Sequence, residues 1–147
     1  MEDLVVKTEY LGGNQEIALI TAKGYIDTVT VPEVEKALQG IIQGKKYKII
    51  VDLKNIDYVS SAGWGAFVSE IKDLRDNKGD LVLINMSPDV YDVYELMEFS
   101  SILKAYSDIK EAVTHFGGEK IIKESFVDPS KGMVKGQSVF DKNKKNK

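Results

Sequence analysis

Two adjacent serines, Ser60 and Ser61, are the residues of this chain whose placement suits them best to chemistry. They close the run Val51-Asp-Leu-Lys-Asn-Ile-Asp-Tyr-Val-Ser-Ser-Ala-Gly-Trp-Gly65, where a short apolar strand reads into a polar turn and then an amphipathic helix. At a helix N-terminus the first N–H groups lack internal partners and the macrodipole is positive. A serine hydroxyl there caps the helix, the common use of this residue type. A phosphoryl group at the same place is favoured electrostatically. The local pattern is compatible with both uses.

No other stretch assembles a reactive centre. His115 is the only histidine and falls late in the last predicted helix, so neither a catalytic triad nor a multi-histidine metal site has its partners. It reads as a packed or surface residue. Gly63-Trp-Gly65 is too short for a phosphate-cradling loop and lacks the lysine. Ser61 has no glycine two positions before it, as a nucleophile elbow requires. Asp27, Asp52 and Asp57 lie near predicted strand ends and could gather on a metal, but solvation or capping accounts for each. Tyr91 and Tyr94, beside Leu96 and Met97, read as ordinary helix packing. The expectation is a protein without catalytic activity, metal or cofactor.

The elements that must position the serines follow from periodicity. Leu4 to Tyr10 and Ile17 to Ala22 read as two strands joined around Gly12-Gly13-Asn14. Thr30-Val-Pro-Glu33 has the form of a capping box, and Val31, Val34, Leu38, Ile41 and Ile42 mark a helix that ends near Gly44. Ile49 to Leu53 is a short β-branched run, as expected for a strand covered on both faces. Trp64, Phe67, Val68, Ile71 and Leu74 then recur at helical spacing, and Asn77-Lys78-Gly79 ends that helix. Leu81 to Ile84 is the next strand. Ser87-Pro88 opens a helix through Met97, Leu103 to Tyr106 is a short strand, and Ser107 or Asp108 caps a helix to Phe116. The order β-β-α-β-α-β-α-β-α predicts an α/β fold with a mixed, mostly parallel sheet and helices mainly on one face. In such folds function sits in loops beyond the carboxyl ends of strands, where Ser60 and Ser61 lie.

Composition bounds the rest. The 147 residues suit one domain with some chain to spare, and the absence of cysteine removes disulfides and thiolate metal sites and suits a reducing cytoplasm. The N-terminal residues lack the pattern of a signal peptide, and no apolar run approaches the roughly 20 residues of a membrane span. Net charge is −3, but residues 119–147 carry eight lysines against four acids, so that segment is +4 and residues 1–118 are −7. An acidic body argues against direct DNA binding. The expected division is a domain over 1–118 and a basic, partly disordered extension over 119–147.

Three stretches together resemble the STAS domain, the family of bacterial anti-sigma factor antagonists. Gly24-Tyr-Ile-Asp27, followed by Thr28 and Thr30, is similar to the family's segment before its first helix. Val51 to Gly65 is similar to its strand-turn-helix core, and Gly79-Asp-Leu-Val-Leu-Ile-Asn-Met-Ser-Pro88 to its next strand and cap. The resemblance spans about residues 3–116. It implies that Ser61 is the serine phosphorylated by a partner kinase, with Ser60 as the rival acceptor. It also implies a partner surface of Asp27, Thr28, Thr30, Ser60, Ser61, Gly63 and Trp64. The implied partner is an anti-sigma factor with an ATP-binding serine-kinase fold; a serine phosphatase would restore the free form, and ATP and magnesium belong to the partner. Two positions depart from the family pattern: Ser60 stands where an aspartate is usual, and Trp64 where a leucine is usual. The alternative is an unphosphorylated scaffold subunit of a larger signalling or lipid-transport assembly. Because Gly117-Gly118 closes the last predicted helix, truncation after Gly118 should leave the domain folded, with a melting temperature close to that of the full chain.

Overall fold

The structure, a computed structural model, describes residues 3–118. The expected boundary at 118 and the extension over 119–147 therefore lie outside the described residues. Strands β1 (Leu4–Leu11) and β2 (Ile17–Ile26) form the antiparallel hairpin, its turn closed by Gln15 N–H donating to the Gly12 carbonyl at 3.1 Å. The crossover helix α1 (Val31–Gln43) buries Val31, Val34, Leu38 and Ile41, the face its periodicity marks. Strand β3 (Lys48–Val59) then runs parallel to β2.

Here the sequence reading needs correction, because the polar turn expected after Leu53 is strand. Lys54 to Val59 stay extended and pair with the far end of β2, across register shifts between Thr21/Lys23 and Gly24/Tyr25. Ile56 and Val59 are buried while Lys54, Asn55, Asp57 and Tyr58 face solvent. Pairing with β2 on one half-buried surface overrides the poor strand propensity of Asn and Asp. For the same reason β2 extends past Ala22 to Ile26.

The helix after β3 is in two pieces, α2 (Ser61–Ser69) and α3 (Ile71–Asp76), with Glu70 between them. At the break the Ser69 hydroxyl donates to the Ala66 carbonyl at 3.0 Å, a side-chain bond that competes with the helical ladder. Strand β4 (Asp80–Ile84), helix α4 (Pro88–Leu96), a 3₁₀ turn (Phe99–Ser101), strand β5 (Lys104–Tyr106) and helix α5 (Ile109–His115) complete the chain. Ser87 caps α4 and Asp108 caps α5 through their side-chain oxygens.

The sheet order is β1-β2-β3-β4-β5, and only the β1–β2 pair is antiparallel. Side chains alternate across it. Ala18, Ile20, Ile49, Val51, Leu53, Leu81 and Leu83 face α1 to α4, while Ile17, Leu19, Ile50, Val82 and Ile84 meet Ala112 and Val113 of α5. The helices thus lie mainly on one face, as expected. The lone histidine fastens α5 to the sheet. His115 Nε2 lies 3.0 Å from Asp80 Oδ2 and its Nδ1 2.8 Å from the Tyr106 hydroxyl. Arg75 in turn donates to Asp80 Oδ1 at 3.1 Å and to the Ile102 carbonyl at 2.8 Å.

The stop after α3 works differently from a glycine cap. Lys78, not Gly79, takes the left-handed backbone, at φ 65°. Gly79 is needed because a Cβ there would strike the Tyr47 carbonyl, the same group that accepts from Asp80 N–H at 2.9 Å. By contrast, a Cβ at Gly40 in α1 meets nothing within 4 Å. Gly79→Ala should cost about 3 kcal/mol or more, since backbone cannot yield as a side chain does. Gly40→Ala should stabilise by about 0.4–1 kcal/mol through helix propensity and unfolded-state entropy. Urea midpoints of the two variants against the parent test both signs.

Candidate partner-binding site at the start of helix α2

The paired ends of β2 and β3 build this site. Ser60 N–H donates to the Ile26 carbonyl at 2.8 Å, so the loop that leaves β2 sits beside the turn that leaves β3. Ser60 is extended and is the N-cap of α2, its Oγ accepting from Gly63 N–H at 3.3 Å, while its carbonyl accepts from Trp64 N–H at 3.0 Å. It is half-buried. Ser61 is the first helical residue, exposed, and its hydroxyl makes no hydrogen bond among the described residues. The two adjacent serines therefore occupy different environments: one hydroxyl is engaged with backbone and the other faces solvent.

Gly63 is buried under the first turn, where a Cβ would come within 2.7 Å of both Ile26 Cγ2 and Val59 Cγ1. Only a bare backbone lets α2 cross so close to the two strand ends. This is steric need rather than conformational freedom.

Thr30 does not form the expected capping box. It is αR, and its side chain makes no cap bond to α1. Its hydroxyl instead donates to the Tyr25 carbonyl at 2.7 Å and accepts from Asp27 N–H at 2.9 Å. Asp27 Oδ1 accepts from the N–H groups of Val29 and Thr30, both at 3.0 Å. Asp27 thus takes the Thr30 N–H that Glu33 would have served in a capping box, while the Glu33 N–H donates to the Thr30 carbonyl at 2.9 Å. Thr30 is buried, Asp27 half-buried, and Thr28 and Val29 are exposed at the loop tip.

Trp64 lies one turn into α2 and is only 2% exposed. Its ring stacks on Phe99 at 4.9 Å and lies 6.1 Å from Tyr94, with Phe67 edge-on at 6.3 Å. Its Nε1 is buried with no partner among the described residues. Burial pushes the Tyr94 phenol above its ordinary pKa, and the hydroxyl donates to the Leu103 carbonyl at 2.6 Å. Above these rings a cleft of about 480 Å³ opens between α2 and α4, bordered by Ser61, Tyr58, Val93, Met97 and Ile102. The sequence reading missed it. It treated Leu96 and Met97 as packing, but they are 80% and 57% exposed; only Tyr94 of that group is buried. The legible signal was that α4 carries apolar pairs on two faces, Val90/Tyr94 inward and Val93/Met97 outward.

The aspartates do not converge. Asp52 Oδ1 accepts from Lys54 N–H and Asn85 Nδ2, and no three of His, Cys, Asp and Glu gather as a metal site among the described residues. No described helix is long and apolar enough to cross a membrane.

The STAS domain family model matches residues 11–112. An anti-sigma-B factor antagonist of Listeria monocytogenes is 34% identical over 86 residues, covering 58% of this chain and 75% of that protein. One from Staphylococcus aureus is 31% identical over 80 residues, covering 54% and 74%. Among solved structures, an anti-sigma factor antagonist from Mycobacterium paratuberculosis superposes with TM-score 0.69 at 18% identity, covering 77% of this chain and 93% of that one. The antagonist SpoIIAA in its unphosphorylated form gives 0.64 at 22% identity, covering 78% and 97%. At those identities the superpositions speak for the fold, and the family match, which spans both strand ends, the serine pair and α4, speaks for descent. The chain belongs to the STAS domain family.

Proposed function

We propose that this protein is an anti-sigma factor antagonist that binds an anti-sigma factor, frees a sigma factor for transcription in a bacterial cytoplasm, and is switched off by phosphorylation of Ser61. The observation that carries this reading is the difference between the serines: Ser60 Oγ is held by Gly63 N–H, and Ser61 presents a free hydroxyl at the surface. The names of the relatives from Listeria and Staphylococcus support the antagonist role. The partner is an anti-sigma factor with an ATP-binding serine-kinase fold, and a serine phosphatase reverses the modification. This chain supplies the acceptor and the docking ground but no catalytic group.

The physics of such a switch is local. A phosphate adds about −1.5 to −2 charges near neutral pH. At the first position of α2 it meets unpaired helix N–H groups and a favourable dipole, so the fold tolerates it. The cost falls on a partner surface fitted to a hydroxyl, where bulk and like-charge contact amount to several kcal/mol. Since about 1.4 kcal/mol is tenfold in affinity, this is enough to turn a tight complex into a weak one. Serine at position 60 keeps the N-cap that the family's aspartate would provide, yet removes a negative charge beside the acceptor. Phosphorylated Ser61 therefore has one fewer repulsive neighbour. Thr28, Val29 and the half-buried Asp27 flank the hydroxyl as contact residues, while Thr30, Gly63 and Trp64 shape the surface from below.

Substitutions separate cap from acceptor. Ser60→Ala should cost about 1 kcal/mol of stability through the lost cap and still be phosphorylated at Ser61. Ser61→Ala should change stability by less than about 0.5 kcal/mol, keep the partner and lose phosphorylation. Ser61→Asp should bind more weakly than the parent, though less so than the phosphoprotein, because its charge is smaller. Denaturation, phosphopeptide mass spectrometry and titration with a cognate anti-sigma factor read the three effects. Modification of Ser61→Ala at the parent rate would rule out this acceptor. Full-strength binding by Ser61→Asp, with neither serine modified, would favour the scaffold role.

A further inference from the structure

We propose that β1 pairs with β1 of a second copy of this chain, antiparallel and about a two-fold axis at Thr8, joining the two five-stranded sheets into one. The sheet has two edges, and they differ in length. Strand β5 is three residues long, a short edge of the kind that resists pairing. Strand β1 is eight residues, Leu4 to Leu11, with no proline, no glycine and no break in its register with β2. Lys7, Thr8, Glu9 and Tyr10 are exposed along it. A long, regular edge of this kind is a template for another strand.

Backbone direction and charge select the same partner in the same alignment. Tyr25 N–H donates to the Asp3 carbonyl at 3.1 Å, in the register that pairs Leu4 with Gly24. Successive residues of an antiparallel strand aim their N–H and C=O groups at opposite edges. Val5, Lys7, Glu9 and Leu11 therefore bond to β2, while Leu4, Val6, Thr8 and Tyr10 aim theirs at the free edge. Two copies of β1 match when Thr8 faces Thr8 and Val6 faces Tyr10, each pair exchanging both backbone bonds. The side chains of Val6, Thr8 and Tyr10 border the groove along α1, so Val6 of one copy and Tyr10 of the other cover each other there. Lys7 and Glu9 make no ion pair among the described residues. With Thr8 on the axis, Lys7 of each copy stands opposite Glu9 of the other, at a position without backbone bonds where Cα atoms come within about 4.5 Å. Centring the pair on Lys7 or on Glu9 keeps the backbone match but sets like charges directly opposite. Centring it on Val6 or Tyr10 shortens the overlap and loses both ion pairs. A lysine alone on an edge strand discourages pairing; with a glutamate two residues on, it specifies a copy of itself.

The pairing stands on β1 alone and is independent of the antagonist reading. Sedimentation of the full chain over a concentration series should show a dimer. Lys7→Glu alone and Glu9→Lys alone should each raise its dissociation constant about tenfold or more, since both ion pairs turn repulsive. An equimolar mixture of those two variants should form a heterodimer of parental strength, because opposite charges again face each other. Both positions are exposed, so melting temperatures should stay close to that of the parent. Thr8→Pro removes an N–H aimed at the second copy and none used by β2, and should give a folded monomer. The chain has no cysteine, so Thr8→Cys introduces a single one. Two such copies should join by a disulfide, their Cα atoms lying about 5.5 Å apart, whereas Val6→Cys copies should not. A chain that stays monomeric throughout the series would overturn the proposal and leave the edge to a different strand. So would a dimer that survives both charge reversals, which would place the interface elsewhere, or one that Val6→Cys cross-links as readily as Thr8→Cys. The charge reversals decide the matter even where Thr8→Pro fails to fold.

Discussion

Parallel pairing of β2 with β3 is the constraint on which the rest of this structure depends. Over Lys48 to Asp52, β3 is bonded on both sides, by β2 and by β4. Beyond Asp52 only β2 holds it, and that single-sided pairing carries both strands past the body of the sheet to Ile26 and Val59. The bond from Ser60 N–H to the Ile26 carbonyl then joins the exits of the two strands. Loop 27–30 and the start of α2 are neighbours because of it, and Gly63 is small because α2 must cross the point where they meet.

This also explains what could and could not be read from the sequence. Strands and helices with a clear apolar period were legible: the hairpin, α1, β4, α4 with its Ser87 cap, and α5. The elements shaped by contacts distant in sequence were not. Lys54 to Val59 look like a turn in isolation because the partner that makes them a strand lies about thirty residues earlier, in β2. Thr30 has the spacing of a capping box, but the lengthened β2 brings Asp27 within hydrogen-bond distance first. The serine pair was visible as a helix entrance. Which hydroxyl caps and which faces solvent was not, since that depends on the dihedral angles of Ser60. Of the cleft, only the second apolar pair of α4, Val93 and Met97, was legible; that this pair stays exposed beside α2 depends on how α4 packs on β3.

The sheet separates two kinds of polar work. At the carboxyl ends of β2 and β3 the polar groups are short-range and mostly backbone-directed: a loop aspartate, a threonine and a capping serine. At the amino end of β4, on the α5 side, long side chains form a chain from Arg75 through Asp80 and His115 to Tyr106. That chain ties α3, β4, β5 and α5 into one body. The helix entrance, at the other end of the sheet, is shaped instead by the chain turning there.

The placement of Ser61 has a bearing on how such proteins diverge. An exposed residue at the first position of a helix, whose hydroxyl makes no hydrogen bond among the described residues, is under weak structural constraint, while its neighbour Ser60 is held by the cap. On the proposed switch, a lineage that loses its partner can replace Ser61 without removing the cap of α2, and another can regain it as readily. Ser60 and Gly63 do not share that freedom. Sequences on this fold should therefore keep a capping residue and a glycine on either side of a position that drifts with regulation, so that the presence of a switch and the persistence of the fold are inherited independently.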